Sequence, residues 1–153
     1  MSFQNDLLTV AGLQDAYRPG LQALRGNDHN HVTAKNPNQI SGSADIDTAL
    51  VSQYPSRNRW DYVIARRTGR VTEKLYWIEI HPAHSTAEAK VVVQKANWLK
   101  QWLAGPGNAL ASYERELIWV PTAAVAFHSS SPQAKTLVQA GVIPPKGKVF
   151  TIP

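Results

Sequence analysis

Two acidic residues stand inside otherwise apolar, strand-like runs: Asp61 in RWDYVIAR and Glu79 in LYWIEIHPA. Side chains alternate along a strand, so Asp61 shares a face with Val63 and Ala65, and Glu79 shares one with Leu75, Trp77 and His81. A carboxylate on an apolar face is costly to desolvate unless something compensates it. Two such acids on neighbouring strands of a hairpin could converge on one point, where a divalent cation is the natural compensator. Mg2+ takes one or two carboxylates plus substrate phosphates. Mg2+, or Mn2+ in its place, would neutralise charge on a phosphodiester in transfer and lower the pKa of an attacking water. The structural alternative is that both acids sit at strand ends and pair with local arginines.

Those arginines are numerous. The chain has 153 residues, with 16 Lys+Arg against 11 Asp+Glu, a net charge of +5. The excess clusters at Arg57, Arg59, Arg66, Arg67, Arg70 and Lys74, with Asp61 and Glu73 as the counter-charges between them. Such a cluster is either a solvated hairpin that keeps the protein soluble or an electrostatic footprint for a nucleic-acid backbone. The absence of cysteine excludes a disulfide framework, thiolate metal sites and cysteine nucleophiles. MSFQNDLLTV does not read as a secretory signal. No apolar run approaches the ~20 residues of a membrane helix. These readings give the expectation of one domain over residues 1–153, cytoplasmic and without a membrane partner.

Elements that would position the acids follow from pattern. Asn5 to Leu24 carries helix-like spacing interrupted by Pro19-Gly20. Residues 25–43 are polar and turn-rich, which predicts a mobile loop. Three strands are expected at Ala44–Ser52, Trp60–Arg66 and Leu75–His81, the last two joined as a hairpin through Thr68-Gly69. Ser85 with Glu88 reads as a capping box opening a helix that runs to about Leu103 and stops at Gly105-Pro106. A buried strand at Glu116–Val120 follows, then a short helix from Pro132 to Ala140, closed by Gly141. Lys148–Ile152 is the last strand, expected at an edge. The fold class is therefore α/β, with helices on a mixed sheet.

An acid at the start of one strand, a second strand ending in hydrophobic-Glu-x-Lys, then an amphipathic helix and a further strand, is the layout of the PD-(D/E)XK nucleases, which this chain resembles. This is the restriction-endonuclease-like superfamily. The resemblance covers roughly Leu13 to Val120 and implies a core ordered α-β-β-β-α-β, followed in this chain by α-β. It implies that Asp61 and Glu79 are catalytic metal ligands and that the activity is metal-dependent phosphodiester hydrolysis in DNA or RNA. Two features depart from the pattern. His81 occupies the family's lysine position, and Trp60 stands where proline would precede the first acid. Histidine is not a permanent cation. The alternative is thus a catalytically inactive nuclease-like module that binds nucleic acid, a protein partner or a second copy of itself.

A replacement cation is available on the following helix. At about 100° per residue, Val92, Ala96, Leu99 and Leu103 centre its apolar face, extended by Val91, Trp98 and Trp102. Lys95 falls inside that face, while Lys90, Gln94, Asn97 and Gln101 form a polar stripe. Either Lys95 snorkels, or it points to the sheet and supplies the missing charge. The superfamily tolerates relocation of its lysine to this helix, so the resemblance allows the second. Lys95 or His81 would then orient the water or stabilise charge. Glu79, His81 and His84 could instead hold zinc. Asp28-His29-Asn30-His31 looks like a metal run but sits in the polar loop. The five tryptophans are explained by core packing. No phosphate-binding Gly loop, dinucleotide fingerprint or Gly-x-Ser-x-Gly elbow is present.

Overall fold

The computed structural model describes residues 2–153. Among these, four α-helices accompany a mixed sheet of six strands, so the chain is a mixed α/β protein. In chain order the elements are α1 (Phe3–Leu8), β1 (Tyr17–Arg18), β2 (Val32–Ala34), β3 (Ile40–Asp45), α2 (Ile46–Leu50), β4 (Tyr62–Arg67), β5 (Glu73–Ile80), α3 (Thr86–Ala104), β6 (Glu114–Val120), α4 (Pro132–Gln139), β7 (Val142–Ile143) and β8 (Phe150–Ile152). The sheet order is β1-β3-β4-β5-β6-β7. β1, β3, β4 and β5 pair antiparallel, while β6 runs parallel to β5 and β7 parallel to β6. A parallel pair needs a crossover, and α3 provides the one between β5 and β6.

The alternation in β4 and β5 splits the core in two. Val63 and Ala65 face Trp77 and Leu75 across the ladder, on the side packed by α1, α3 and α4. Tyr62 and Ile64 face Ile78 and Tyr76 on the other side, covered by Leu24, Val32, Ile40 and Ile152. Val92, Ala96, Leu99 and Leu103 of α3 are all buried on the first side, as their spacing predicts. Trp102 stacks on Trp98 one turn away (5.8 Å between centroids) and meets Trp77 edge-on at 6.1 Å. Trp102 also explains the glycine after the helix: a Cβ on Gly107 would lie 2.5 Å from its ring.

Several elements differ from the sequence expectations. The strand expected over Ala44–Ser52 is the end of β3 followed by α2. Asp45 is the reason: its carboxylate accepts the Thr48 N–H at 2.9 Å and caps a helix where a strand was expected. The helical spacing over Asn5–Leu24 yields α1 alone. Gly12, at φ +91°, turns the chain, and β1 follows. Residues 25–43, expected as a mobile loop, contain two short 3-10 turns, β2 and the start of β3. β8 is an element of a separate two-stranded parallel ribbon with β2, not an edge of the main sheet. The capping box does not form. Ser85 precedes α3 in extended conformation without a side-chain hydrogen bond; the Glu88 N–H meets the Ser85 carbonyl at 3.3 Å instead, and the Glu88 carboxylate is engaged with His81. α4 begins as expected, with the Ser131 hydroxyl accepting the Ala134 N–H and Pro132 first in the helix, and Gly141 closes it at φ +82°.

The packing of α3 on the sheet makes a direct prediction. Leu99 is fully buried and Lys100 beside it is exposed. Leu99→Ala should cost about 2–5 kcal/mol in denaturant unfolding. Lys100→Ala should stay within about 0.5 kcal/mol of wild type. Equal effects would refute this placement of the helix.

Candidate active site

The two acids meet at one end of the sheet. Asp61 immediately precedes β4, and its backbone carbonyl accepts the N–H groups of Ile46 (2.9 Å) and Asp47 (3.2 Å) at the start of α2. Its side chain turns to the next strand, where Oδ2 accepts the Ile80 N–H at 3.0 Å. In the ladder Tyr62 pairs with Ile78. Continuing that register by one residue sets Asp61 opposite Glu79.

Glu79 has no exposed surface. Its Oε2 accepts a hydrogen bond from Lys95 Nζ at 2.5 Å, and Oε1 has no hydrogen-bond partner among the described residues. Lys95 therefore does not snorkel. Its side chain is 16% exposed and its ammonium is held on the buried carboxylate. Helix α3 supplies that ammonium from the edge of its core-facing stripe, the position read from the periodicity.

Three ionisable groups thus share one apolar pocket, two acids against one base. Burial raises the Asp61 pKa to about 6, opposed by the Lys95 charge and the Ile80 N–H. Burial also drives the Glu79 pKa well above the usual carboxylate range. The Asp61 charge adds to that rise, and Lys95 opposes it. For Lys95, burial alone would lower the pKa, but the carboxylates of Glu79 and Asp61 outweigh it and the pKa rises. The physical content is a shortage of positive charge. One ammonium balances the first ionisation, and the second leaves an uncompensated negative charge in a dry site.

His81 follows β5 and lies at the rim. Its Nδ1 is 3.7 Å from Glu79 Oε2, and its Nε2 contacts Glu88 Oε2. The backbone carbonyl of His81 accepts the Trp119 indole N–H at 2.8 Å, and the Trp119 ring packs edge-on to the imidazole. Glu88 is the residue that sequence reasoning missed. The capping-box pattern assigned it to Ser85, whereas it faces His81, with the exposed His84 3.9 Å from its other oxygen. Its position on α3 two turns before Lys95, on the same face, was the available signal.

The remaining candidates lie elsewhere. Arg66, Arg67 and Arg70 belong to the far end of the β4–β5 hairpin. Arg67 pairs with Glu73, and Asp61 lies six residues back along β4, about 20 Å at strand rise. Arg66 donates to Gln39 Oε1, Arg67 to the Asn38 carbonyl, and Lys74 pairs with Glu116 at 2.7 Å. Arg59 is largely enclosed, bound to Asp47 at 3.0 Å and to the Tyr54 carbonyl. Arg57 is exposed beside Trp98 and Tyr54, on the outer side of α3. Asp28 accepts the Tyr62 hydroxyl at 2.5 Å. No group of three or more His, Asp or Glu side chains among the described residues is arranged to enclose a metal, so the zinc set Glu79, His81 and His84 is not assembled. One or two carboxylates completed by water and substrate phosphate is a different requirement, which counts fewer protein ligands. A groove of about 590 Å3 runs between α3 and α4 and is lined by Lys90, Val93 and Gln94, away from the Lys95 side of the helix. No helix among the described residues is long and apolar enough to cross a membrane.

The shared charge deficit has a pH signature. The Asp61 pKa is raised from the ordinary value near 3.8 to about 6. Between those values the folded state binds the proton more tightly than the unfolded chain does. Metal-free stability should therefore fall as pH rises from about 4 to 6, the slope that linkage requires. Asp61→Asn should flatten that fall and unfold at higher denaturant than wild type above pH 6. A wild type whose stability rises across this window would refute the assignment.

Compared with known proteins, the chain matches no protein-family model, no curated protein and no solved structure.

Proposed function

We propose that this protein is a divalent-metal-dependent nuclease with a restriction-endonuclease-like core, hydrolysing phosphodiester bonds in DNA or RNA. The observation that carries the reading is Glu79: a fully buried carboxylate with one oxygen on Lys95, the other unpartnered, and a second carboxylate opposite it across the hairpin. The order of elements also supports it. With β1, β2 and α2 set aside as insertions, helix α1, the antiparallel strands β3, β4 and β5, the crossover α3 and the parallel β6 read as the α-β-β-β-α-β order of that superfamily. The helix of that order lies at Phe3–Leu8, ahead of the span over which the motifs resemble the family.

On this reading Asp61 and Glu79 hold Mg2+ or Mn2+. The unpartnered Oε1 of Glu79 fits the role, because a cation there satisfies a buried acceptor and supplies the charge the site lacks. When bound, the metal neutralises phosphate charge and acidifies water. The protein's own groups do the rest. Lys95, fixed by Glu79, faces the negative charge that builds on the phosphate as the water oxygen bonds to phosphorus and the ester P–O bond breaks. His81, held by Glu88 and Trp119, lines the entrance and orients what enters. The Val63, Ala65 and Trp77 side chains keep the pocket floor dry, which strengthens each of these interactions.

A second reading has one observation in its favour. Lys95 already balances one charge of Glu79 in a buried ion pair, and with His81 turned to Glu88 the pair needs no metal to persist. That is the inactive binding module. Metal response separates the two. Mg2+ or Mn2+ should raise the Tm of wild type, because a ligand that binds the native state alone stabilises it. Asp61→Asn should lose that shift and all cleavage while remaining folded. The shift should shrink toward pH 5, where protons compete for the carboxylates. Lys95→Gln should keep part of the metal response and lower cleavage by about 100-fold or more. A wild type with neither a metal-dependent shift nor cleavage of any DNA or RNA would leave the module reading standing.

A further inference from the structure

Most of the cations first read as a nucleic-acid footprint are spent or remote. Arg59 is tied to Asp47 and Tyr54, and Arg66, Arg67 and Arg70 sit at the far end of the hairpin. Arg57 is different. It is exposed, and its guanidinium has no hydrogen-bond or ion-pair partner among the described residues. It borders a pocket of about 220 Å3 lined by Tyr54, Trp98 and Trp102, with Gln101 at the edge. No acid lines this pocket.

The aromatic lining is ordered. Trp102 is buried, and Trp98 stacks on it with centroids 5.8 Å apart and planes 13° from parallel. Tyr54 meets Trp98 edge-on at 5.8 Å. Trp98 and Tyr54 are both only half-buried. Core packing accounts for Trp102, which reaches Trp77, but not for the open surface of Trp98. A large ring kept half open beside an unpaired guanidinium matches the two parts of a nucleotide. The base offers a flat face to stack on an aromatic side chain, and the phosphate offers the charge that the arginine lacks.

This pocket lies on the same side of the sheet as the acids. Asp61 shares its face with Val63 and Ala65, and Trp98 and Tyr54 pack against that same cluster. Both walls of the pocket also run into the candidate site. On α3, Trp98 follows Lys95 by three residues and Trp102 follows it by seven. Helix geometry sets the three within about 60° of one another, with Trp98 about 4.5 Å and Trp102 about 10 Å along the axis from Lys95. Tyr54 and Arg57 belong to the segment between α2 and β4, which ends at Asp61. Two hydrogen bonds fix that segment. Arg59 Nη1 donates to the Tyr54 carbonyl at 2.5 Å, and Asn58 Nδ2 donates at 3.3 Å to Gln94 Oε1, on the residue before Lys95.

We propose that this pocket is a nucleobase subsite: Trp98 stacks a base of a single-stranded stretch of substrate and Arg57 holds its phosphate, while a neighbouring phosphate lies at Asp61 and Lys95. The substrate class rests on the nuclease reading. The competing occupant is a second copy of this chain.

The test is fluorescence anisotropy in EDTA, from 20 to 200 mM salt, with labelled oligothymidylate, oligouridylate and an abasic strand of the same length. Wild type should bind a base-bearing strand about tenfold more tightly than the abasic one. Trp98→Ala should erase that difference and leave abasic binding unchanged, and Trp98→Phe, which keeps a stacking face, should restore most of it. Arg57→Gln should weaken binding of both strands and reduce the log–log salt slope by about 0.7, the signature of one lost phosphate contact on a single strand. Lys135→Gln, on the exposed face of α4, should match wild type. A measurement on wild type alone covers a Trp98→Ala that fails to fold: a strand carrying 5-iodouridine, irradiated in the complex, should crosslink to Trp98 or Tyr54. Equal binding of base-bearing and abasic strands, crosslinks confined to other residues, or binding of duplex alone overturns the proposal and leaves the nuclease reading standing. A dimer in sedimentation that Trp98→Ala dissolves, without base-dependent binding, overturns it in favour of the second copy. Absence of binding to any strand, single or duplex, overturns it together with the nuclease reading. Base-dependent binding at Trp98, with no cleavage of any strand in Mg2+ or Mn2+, sustains the subsite and sinks the nuclease reading alone.

Discussion

Two carboxylates share a single ammonium at the dry end of the sheet, and the surrounding architecture holds them there. Asp61 and Glu79 are opposed across β4 and β5 because the hairpin register sets them so. Lys95 reaches them because α3 crosses over that end of the sheet with its apolar stripe downward. A lone buried carboxylate would neutralise itself by taking a proton. With one lysine present, the first negative charge is stable and the second is not. The second carboxyl therefore holds its proton more tightly than an ordinary acid does.

The position of the site follows from the fold rather than from any single motif. Parallel strands joined by a crossover helix leave their carboxyl ends open, and ligands in α/β sheets gather there. β5 ends at Ile80 and β6 at Val120, so His81 and the loop after Val120 line that opening. The antiparallel partners β3 and β4 bring Asp45 and Asp61 to the same end. Four chain segments, far apart in sequence, deliver their polar residues to one rim, while the opposite end of the sheet carries the arginine-rich turn.

Much of this was legible in the residues, for identifiable reasons. Alternation set Glu79 among Leu75, Trp77 and His81, and helical periodicity put Lys95 inside an apolar stripe; both are local geometry and both survive folding. What failed was competition between partners. Glu88 matched a capping box, but His81, seven residues earlier, takes its carboxylate, and no local pattern records that choice. Asp45-Ile46-Asp47-Thr48 fell within an expected strand, yet a side-chain cap decided it as a helix. The basic cluster near residues 57–74 was a true feature of composition, but strand direction carried most of it away from the acids.

The margins of the sheet have their own consequence. Its outermost strands, β1 and β7, have two residues each, while the inner four run six to eight. A strand that short offers almost no row of open amides and carbonyls to a neighbouring molecule. The sheet is in effect hemmed on both sides, so it resists growing from one molecule to the next even though its centre is rich in Val, Ile, Tyr and Trp. Any partner of this protein must be met through side chains at the ends of the strands or on the helices, not by extending the ladder.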